Sequence, residues 1–352
     1  MGKAASSRPA LTIAGEADVV TELVAYCRFQ GDAAEALARH LDAKRQHWDA
    51  EGFHVCCERS ERELCLSLSG AGWRRLALAK ARIAGEIRRL PGCATLALTW
   101  AGDGDPERLG HVQHWHVTGA RLVTPHLRRV TFQVEDAELY AGDLHHIRLL
   151  LPQRPGGAFA FPRPCPAGLP VWPEGELMPV LRNYTIRAVR AGSDEVDVDF
   201  VLHEPAGPAT AWARDCRPGV EIGALGPIGR PVSHAPRRIL AGDETALPTI
   251  LRQIEECPAG ERIDAYVELV DDAERQNVTL PQGCRLYWLH RGELVDALRQ
   301  LGREQNDVTL AYAGTEFSTS RQLSLAFGKD LGLPSTRFRS VAYWRMQGAR
   351  AA

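Results

Sequence analysis

Apolar positions along this chain follow two rhythms, and the switch between them divides it into three segments. In the first hundred residues Ala34, Leu37, Ala38 and Leu41 recur at helical spacing, residues 53–55 and 64–68 alternate as strands do, and residues 73–90 return to the helical period. That mixture predicts a small α+β module over residues 17–101, closed off by the linker composition of GDGDPERLG (102–110). From residue 112 to 235 strand signals dominate: HVTGARLV, RRVTFQV, HHIRLLL, NYTIRAV and VDVDFVLH are short, rich in β-branched residues and separated by Gly, Pro or Asp, which predicts an antiparallel β-barrel. Within it, residues 152–179 hold eight prolines and four glycines, a composition excluded from helix interiors and central strands and therefore expected to form a long surface loop. Beyond residue 236, RRILAGD, RIDAYVELV, CRLYWLH and VTLAYAG alternate with helical stretches up to residue 348, as in an α/β doubly wound nucleotide-binding domain with a parallel sheet.

Composition then removes several function classes. The 352 residues carry 42 Lys and Arg against 44 Asp and Glu, a formal net charge of −2, so there is no general field for phosphate backbones and nucleic acid is not an expected partner. The nine cysteines are odd in number and scattered, with no CxxC pair, which argues against a disulfide framework or zinc ribbon and fits a reducing cytoplasm. No run approaches the roughly 20 apolar residues of a membrane span, and the opening MGKAASSRPALTIAG has too short an apolar stretch for a signal peptide. Gly2 to Ser6 fits the loose myristoylation pattern, read here as coincidence.

The densest chemical signal is Arg182-Asn183-Tyr184-Thr185-Ile186-Arg187 on a predicted strand, where alternation sets Arg182 and Tyr184 on one face and Thr185 and Arg187 on the other. A planar fork of donors, an aromatic ring and a hydroxyl meet the needs of a flavin dinucleotide, while a surface strand with cross-strand Arg and Thr pairs is the plainer alternative. Next comes DFVLH ending at His203, then Gly207-Pro208-Ala209-Thr210-Ala211-Trp212, a strand passing through a tight turn into a short helix. A helix N-terminus there aims amides at a phosphate, with Gly207 for close approach and the Thr210 hydroxyl as an added donor; otherwise Pro208 and Thr210 simply start the helix and Trp212 fills the core. The turn Gly226-Pro227-Ile228-Gly229 reads equally well as structural.

In this combination the sequence resembles the siderophore-interacting protein family, flavin reductases related to the ferredoxin reductase superfamily. The pieces that carry the resemblance are GDLHHIRLLLP (142–152), RNYTIR, DFVLHEPAGPATAWA (199–213), GPIG, LAGDETALPTI (240–250), YAGTEF (312–317) and VAYWRMQG (341–348), in the family's order. The resemblance implies an FAD-binding barrel followed by an NADH- or NADPH-binding domain. Arg182, Tyr184, Thr185 and Arg187 are then expected at the flavin, the turn with Gly207, Ala209 and Thr210 at its phosphates, and His203 close to the ring. It also lifts AGDETALP, which lacks GxGxxG, to a nucleotide-binding turn through Gly242, Asp243, Glu244, Thr245 and Ala246, and it singles out Glu316 after the domain's fourth strand. Glu268 or Asp271 suits an adenosine ribose and Arg275 a 2′-phosphate, so NADH and NADPH stay open. Arg345, with Arg321 and Lys329, is expected to form a basic rim for an anionic ligand, or else these are solvated charges. The family's glycine before YWR is Ala342 here.

The activity this implies is NAD(P)H-dependent reduction of a ferric siderophore, with release of Fe(II), by a cytoplasmic protein that acts alone or as a homodimer. The alternatives are a siderophore-binding or storage module without turnover and a general flavin or ferredoxin reductase. LARHLDAKRQHWDAEGFHV, with His40 and Lys44, resembles a small domain of unknown function and has no assigned chemistry. His111, His114 and His116 lack a carboxylate or cysteine at ligand spacing and are not expected to bind metal. Cys56 and Cys57 are expected to be buried packing.

Overall fold

Alternating burial organises the N-terminal segment in the computed structural model, which describes residues 22–30, 53–59, 63–91, 93, 98–103, 108–110, 112–304 and 307–346. Strands β1 (Glu22–Gln30), β2 (Phe53–Arg59), β3 (Glu63–Ala71) and the short β4 (Ala101–Gly102) form an antiparallel sheet in the order β2-β3-β1-β4. Helix α1 (Gly72–Ile87) buries Leu76, Ala79, Ile83 and Ile87 in one cluster with Ala25, Cys27, Leu64, Leu66 and Leu68 of the sheet. In β2 the same alternation leaves Cys57 packed against this cluster but Cys56 exposed, so the expected burial of both cysteines is corrected for Cys56. The helix expected around residues 33–41, together with His40 and Lys44, lies outside the described residues.

The barrel segment runs β5 (Val112–Thr124), β6 (Leu127–Gln133), β7 (His146–Leu151), the two-residue strands β8 (Arg163–Pro164) and β9 (Pro170–Val171), then β10 (Val180–Arg190), β11 (Glu195–Val201), helix α2 (Pro208–Asp215) and β12 (Glu221–Ile228). Six of these strands close an antiparallel barrel in the order β10-β11-β6-β5-β12-β7. Its interior is filled by Trp115, Phe132, Leu149, Ile186, Val198 and Phe200, and Trp212 of α2 stacks on Phe132.

The chain divides into two compact units, residues 1–110 with 163–171, and residues 111–162 with 172–352. Part of the proline-rich stretch is therefore not the surface loop its composition suggested. In the first unit β8 pairs with β9, Ala167 is buried, and the carbonyls of Pro166 and Ala167 accept hydrogen bonds from the Trp100 backbone and indole. Proline lacks a donor but keeps its carbonyl, so such a segment can be held through its acceptors.

In the second unit the barrel continues into β13 (Arg237–Gly242), α3 (Leu247–Glu255), β14 (Arg262–Leu269), β15 (Cys284–His290), α4 (Leu294–Glu304), β16 (Leu310–Glu316), α5 (Phe317–Lys329) and β17 (Phe338–Trp344). The strands form a parallel sheet ordered β15-β14-β13-β16-β17, whose direction of winding reverses between β13 and β16. Among the described residues no helix is long and apolar enough to cross a membrane.

Helix α3 is buried on more than one side because it lies between its own sheet and the barrel. Arg252 is 1% exposed, and its guanidinium donates to the carbonyls of Tyr140 (2.8 Å) and Ile186 (3.2 Å) in the barrel segment and to Glu256 (2.8 Å). A second tie comes from Glu274, after β14, whose buried carboxylate accepts from Thr124 and from the His126 backbone at the β5–β6 turn. Replacing Arg252 with Met, similar in length but without donors, leaves buried carbonyls unpaired. Arg252→Met is expected to cost about 3 kcal/mol in denaturant unfolding; an unchanged midpoint and slope would show that the clamp does not stabilise the fold.

Candidate functional site

Strand β10 divides its pairing, and that division creates an opening in the barrel wall. Residues 180–185 pair with β7, whereas residues 186–190 pair with β11 across a bulge between Ile186 and Ala188. On the side toward β11, residues 180–185 have no strand partner among the described residues. Extending the β10–β11 register sets Tyr184 opposite Phe200, and their rings meet at 4.4 Å. Arg182 is exposed and donates to the carbonyl of its neighbour Leu181, while Asn183 accepts from Arg148.

The other border of the opening is the turn after β11. Gly207 caps α2 with extended backbone (φ −79°), and a side chain added there would meet nothing closer than His203, at 3.8 Å. The fold itself does not demand glycine at 207, so a bare backbone beside a helix N-terminus fits the approach of a phosphate group. Thr210 departs from expectation: it is 2% exposed and its hydroxyl donates to the Val201 carbonyl, which ties α2 to β11. Ala209 is likewise buried in the barrel core. By contrast, GPIG is a structural turn, since a side chain at Gly226 (φ 155°) would come within 2.9 Å of Ile147. An exposed arginine, an aromatic ring, a strand edge without a partner and a bare glycine turn together fit an extended dinucleotide such as FAD.

The AGDETA turn sits at the reversal point of the parallel sheet, the usual place for a nucleotide in such folds. Its residues are largely satisfied from within. Asp243 accepts from the Thr245 backbone (2.9 Å) and hydroxyl and from the Trp344 indole (2.8 Å). Glu244 pairs with Arg291 at 2.7 Å and accepts from the Val270 backbone. At Gly242 a side chain would strike Ala246 Cβ at 2.6 Å, so this glycine serves close packing of α3 on the sheet.

The expected ribose ligands are similarly engaged. Glu268 accepts from the Gly292 and Leu294 backbones at the start of α4, Asp271 accepts from Ala273, and Arg275 pairs with Asp272. Glu316 caps α5, accepting from Ser318 and Thr319, and also accepts from Met346; although burial pushes its pKa up, these hydrogen bonds hold it below the ordinary carboxylate range.

Arg187 does not reach the opening. Its guanidinium forms a bidentate pair with Glu255 at the end of α3, at 2.7 and 2.5 Å. Of the basic rim, Arg345 stacks over Phe317 at 3.9 Å, and Arg321, one helical turn beyond Phe317, shares its face. Lys329, at the far end of α5, lies about 18 Å along the helix axis from Phe317. Arg321 and Arg345 therefore lie toward the Phe317 end of α5, and Lys329 lies at the other end. On β5, His114 pairs with Glu221 and stacks on Phe161 at 3.7 Å; His111 lies outside the described residues.

A polar chain that the motif reading missed joins the barrel to the end of the α/β sheet. His146 Nδ1 is 3.2 Å from the Thr185 hydroxyl, His146 Nε2 is 3.4 Å from the Tyr343 hydroxyl, and that hydroxyl is 2.6 Å from Tyr312. The signal available in the sequence was the His145-His146 doublet, which strand alternation points to opposite faces. His145 turns to Glu256 at 3.3 Å, and His146 turns to Thr185.

Comparison with known proteins agrees with this architecture. Residues 116–231 match the siderophore-interacting FAD-binding domain and residues 235–347 the siderophore-interacting protein family. Ferric vibriobactin reductase of Vibrio cholerae is 28% identical over 236 residues, covering 64% of this chain and 86% of the relative. The crystal structure of a siderophore-interacting protein from Aeromonas hydrophila is 29% identical with a TM-score of 0.56, over 68% of this chain and 93% of that one. A siderophore utilization protein from T. fusca is 28% identical with a TM-score of 0.55, over 70% and 95% of the two chains.

Burial, reinforced by His145, Arg339 and Arg252 nearby, lowers the His146 pKa to about 4. Since the unfolded chain takes up this proton near pH 6.5, the contribution is complete above that value and is lost as pH falls toward 4. The ligand-free protein is therefore expected to lose roughly 2 kcal/mol between pH 7 and pH 5 through this group. His146→Asn should lack that component, and parallel denaturation profiles for the two proteins would contradict the assignment.

Proposed function

We infer that this chain, which belongs to the siderophore-interacting protein family, is an FAD-dependent ferric-siderophore reductase that draws electrons from NADH or NADPH. The observation that carries the reading is the opening at β10, where Arg182 and Tyr184 lie along a strand half that lacks a partner on one side, together with the bare turn at Gly207. Bound there, FAD supplies the conversion between a two-electron nicotinamide donor and a one-electron Fe(III) acceptor.

The chain's own part is to bind and orient. In this reading Arg182 offers paired N–H donors to the pyrophosphate, Tyr184 presents its ring to the isoalloxazine, Thr185 gives a hydroxyl at the ring edge, and Gly207 lets phosphate approach the α2 backbone. His203 borders the ring. Thr210, Ala209 and Arg187 act one step back, the first two by holding α2 in place and Arg187 by holding α3 against the barrel. Gly242 to Ala246 shape the nicotinamide side, with Glu316 bracing the neighbouring strand end.

The ferric siderophore is the substrate. Its hard oxygen donors hold Fe(III) tightly and Fe(II) less firmly, so reduction frees the metal. Arg321 and Arg345 offer cations to an anionic chelate. The setting of this reaction is the cytoplasm.

The paired state of the AGDETA turn favours a second reading of the donor. With Asp243, Glu244 and Glu268 already engaged, a reduced electron-carrier protein can replace the nicotinamide without altering the flavin site.

The deciding experiment is anaerobic. The protein with FAD, NADH or NADPH, and a panel of ferric siderophores is followed by Fe(II) capture with a chromogenic chelator, beside free FAD. Protein-dependent Fe(II) with one chelate preferred is expected; a rate no greater than that of free FAD would remove the nicotinamide-driven reading. Arg182→Ala should weaken FAD binding by about 1.5 to 3 kcal/mol, read as a tenfold or greater rise in Kd by titration; an unchanged Kd contradicts the pyrophosphate role.

A further inference from the structure

We propose that His146 is a positioning residue that makes the Thr185 hydroxyl a hydrogen-bond donor toward the flavin edge, and that strand β17 fixes this state through Tyr343. The inference rests on the flavin reading of the β10 opening. It concerns what His146, Tyr343 and Tyr312, which that reading leaves unassigned, do to the Thr185 hydroxyl.

The geometry links Thr185, His146, Tyr343 and Tyr312 in one polar chain. His146 and Thr185 are cross-strand partners on β7 and β10, with Nδ1 3.2 Å from the hydroxyl oxygen. The Tyr184 carbonyl also hydrogen-bonds the ring, and a carbonyl can only accept. The proposed tautomer carries the imidazole proton on Nδ1, the nitrogen that faces the Thr185 hydroxyl. A neutral imidazole that donates at one nitrogen accepts at the other, and the group beside Nε2 is the Tyr343 hydroxyl at 3.4 Å. Tyr343 thus donates to His146, and Tyr312, 2.6 Å from the same hydroxyl, donates to Tyr343.

The consequence falls on Thr185. Its oxygen accepts from His146, so its own proton is left to donate elsewhere. Oxidised flavin presents acceptor nitrogen and oxygen atoms along its ring edge, which makes a donor the useful state.

Tyr343 is well placed to set this state. Its ring meets His146 edge-on at 86°, and it lies so close to Gly314 that a side chain there would come within 2.9 Å. Facing the imidazole are Tyr184 from β10, His145 at the entry to β7, Arg252 from α3, and Arg339 and Tyr343 from β17. Both cations oppose protonation of the ring and so keep it in the form that donates at one end and accepts at the other.

The test uses full-length protein with FAD and four variants. Thr185→Val removes the hydroxyl at constant shape, His146→Leu removes both ring contacts, His146→Asn keeps an amide donor near the Nδ1 position, and Tyr343→Phe removes only the hydroxyl. Two readouts are taken: the visible spectrum of bound FAD, and reoxidation of dithionite-reduced protein by ferric citrate, which needs no nicotinamide. Thr185→Val and His146→Leu are expected to shift the flavin band alike and to slow reoxidation about tenfold, while His146→Asn restores the wild-type spectrum. Tyr343→Phe should perturb the wild-type protein and have no further effect in the Thr185→Val background.

The inference is overturned if His146→Asn is as perturbed as His146→Leu, or if Tyr343→Phe acts equally in both backgrounds. Failure of the wild-type chain to bind FAD removes the flavin reading and this inference with it. Intact FAD binding with an unaltered spectrum in all four variants removes this inference alone.

Discussion

A guanidinium sealed from water is tolerable only where its donors all find acceptors, and Arg252 meets that condition by borrowing carbonyls from a different domain. The acceptors include Tyr140 and Ile186, so the buried position of α3 and the barrel backbone depend on each other. The barrel and the α/β sheet are in this sense one structure. Glu274 repeats the arrangement with opposite charge, its carboxylate gathering donors from the β5–β6 turn. Two buried charges, one from each side of β14, hold the domains in a single register.

That register decides what the site can be. Ile186, whose carbonyl Arg252 holds, follows directly after Thr185 and begins the half of β10 that pairs with β11. The same helix opens just after the AGDETA turn. The strand that borders the proposed flavin site and the turn that borders the proposed nucleotide site are therefore connected through one short helix and one side chain. A redox protein that must keep two ligands in line gains from such a short connection, because each intervening loop would add freedom.

The fold was legible because it is written in periodicity: alternating strands around residues 112–201 and apolar runs divided by helices after 237 name a barrel and a parallel sheet without tertiary information. The proposed flavin side of the site stood out in the sequence for a related reason, since RNYTIR is a local motif on one strand. What escaped was relational. Thr210 looked like a phosphate ligand until its hydroxyl was seen to meet the Val201 carbonyl, and Arg187 looked like a cofactor contact until Glu255 was seen opposite it. Glu268 and Glu316 fit ligand motifs yet serve as helix caps. His146 lay inside GDLHHIRLLLP with no role attached to it, and Arg252 had no motif at all; its only trace was a polar residue placed among apolar ones. Composition also misled where it spoke of prolines, because it reports the donors a segment lacks and says nothing of the acceptors it keeps.

Those acceptors have a bearing on how the protein is made. Residues 163–171 complete the N-terminal unit, where Ala167 is buried and Trp100 binds the carbonyls of Pro166 and Ala167. Translation delivers residues 1–110 first, but their unit stays one segment short until Val171 has emerged from the ribosome, by which time β5, β6 and β7 have also emerged without the strands that close their barrel. The order of synthesis and the order of completion therefore differ, and the nascent chain must carry an open apolar edge on its first unit while it begins its second.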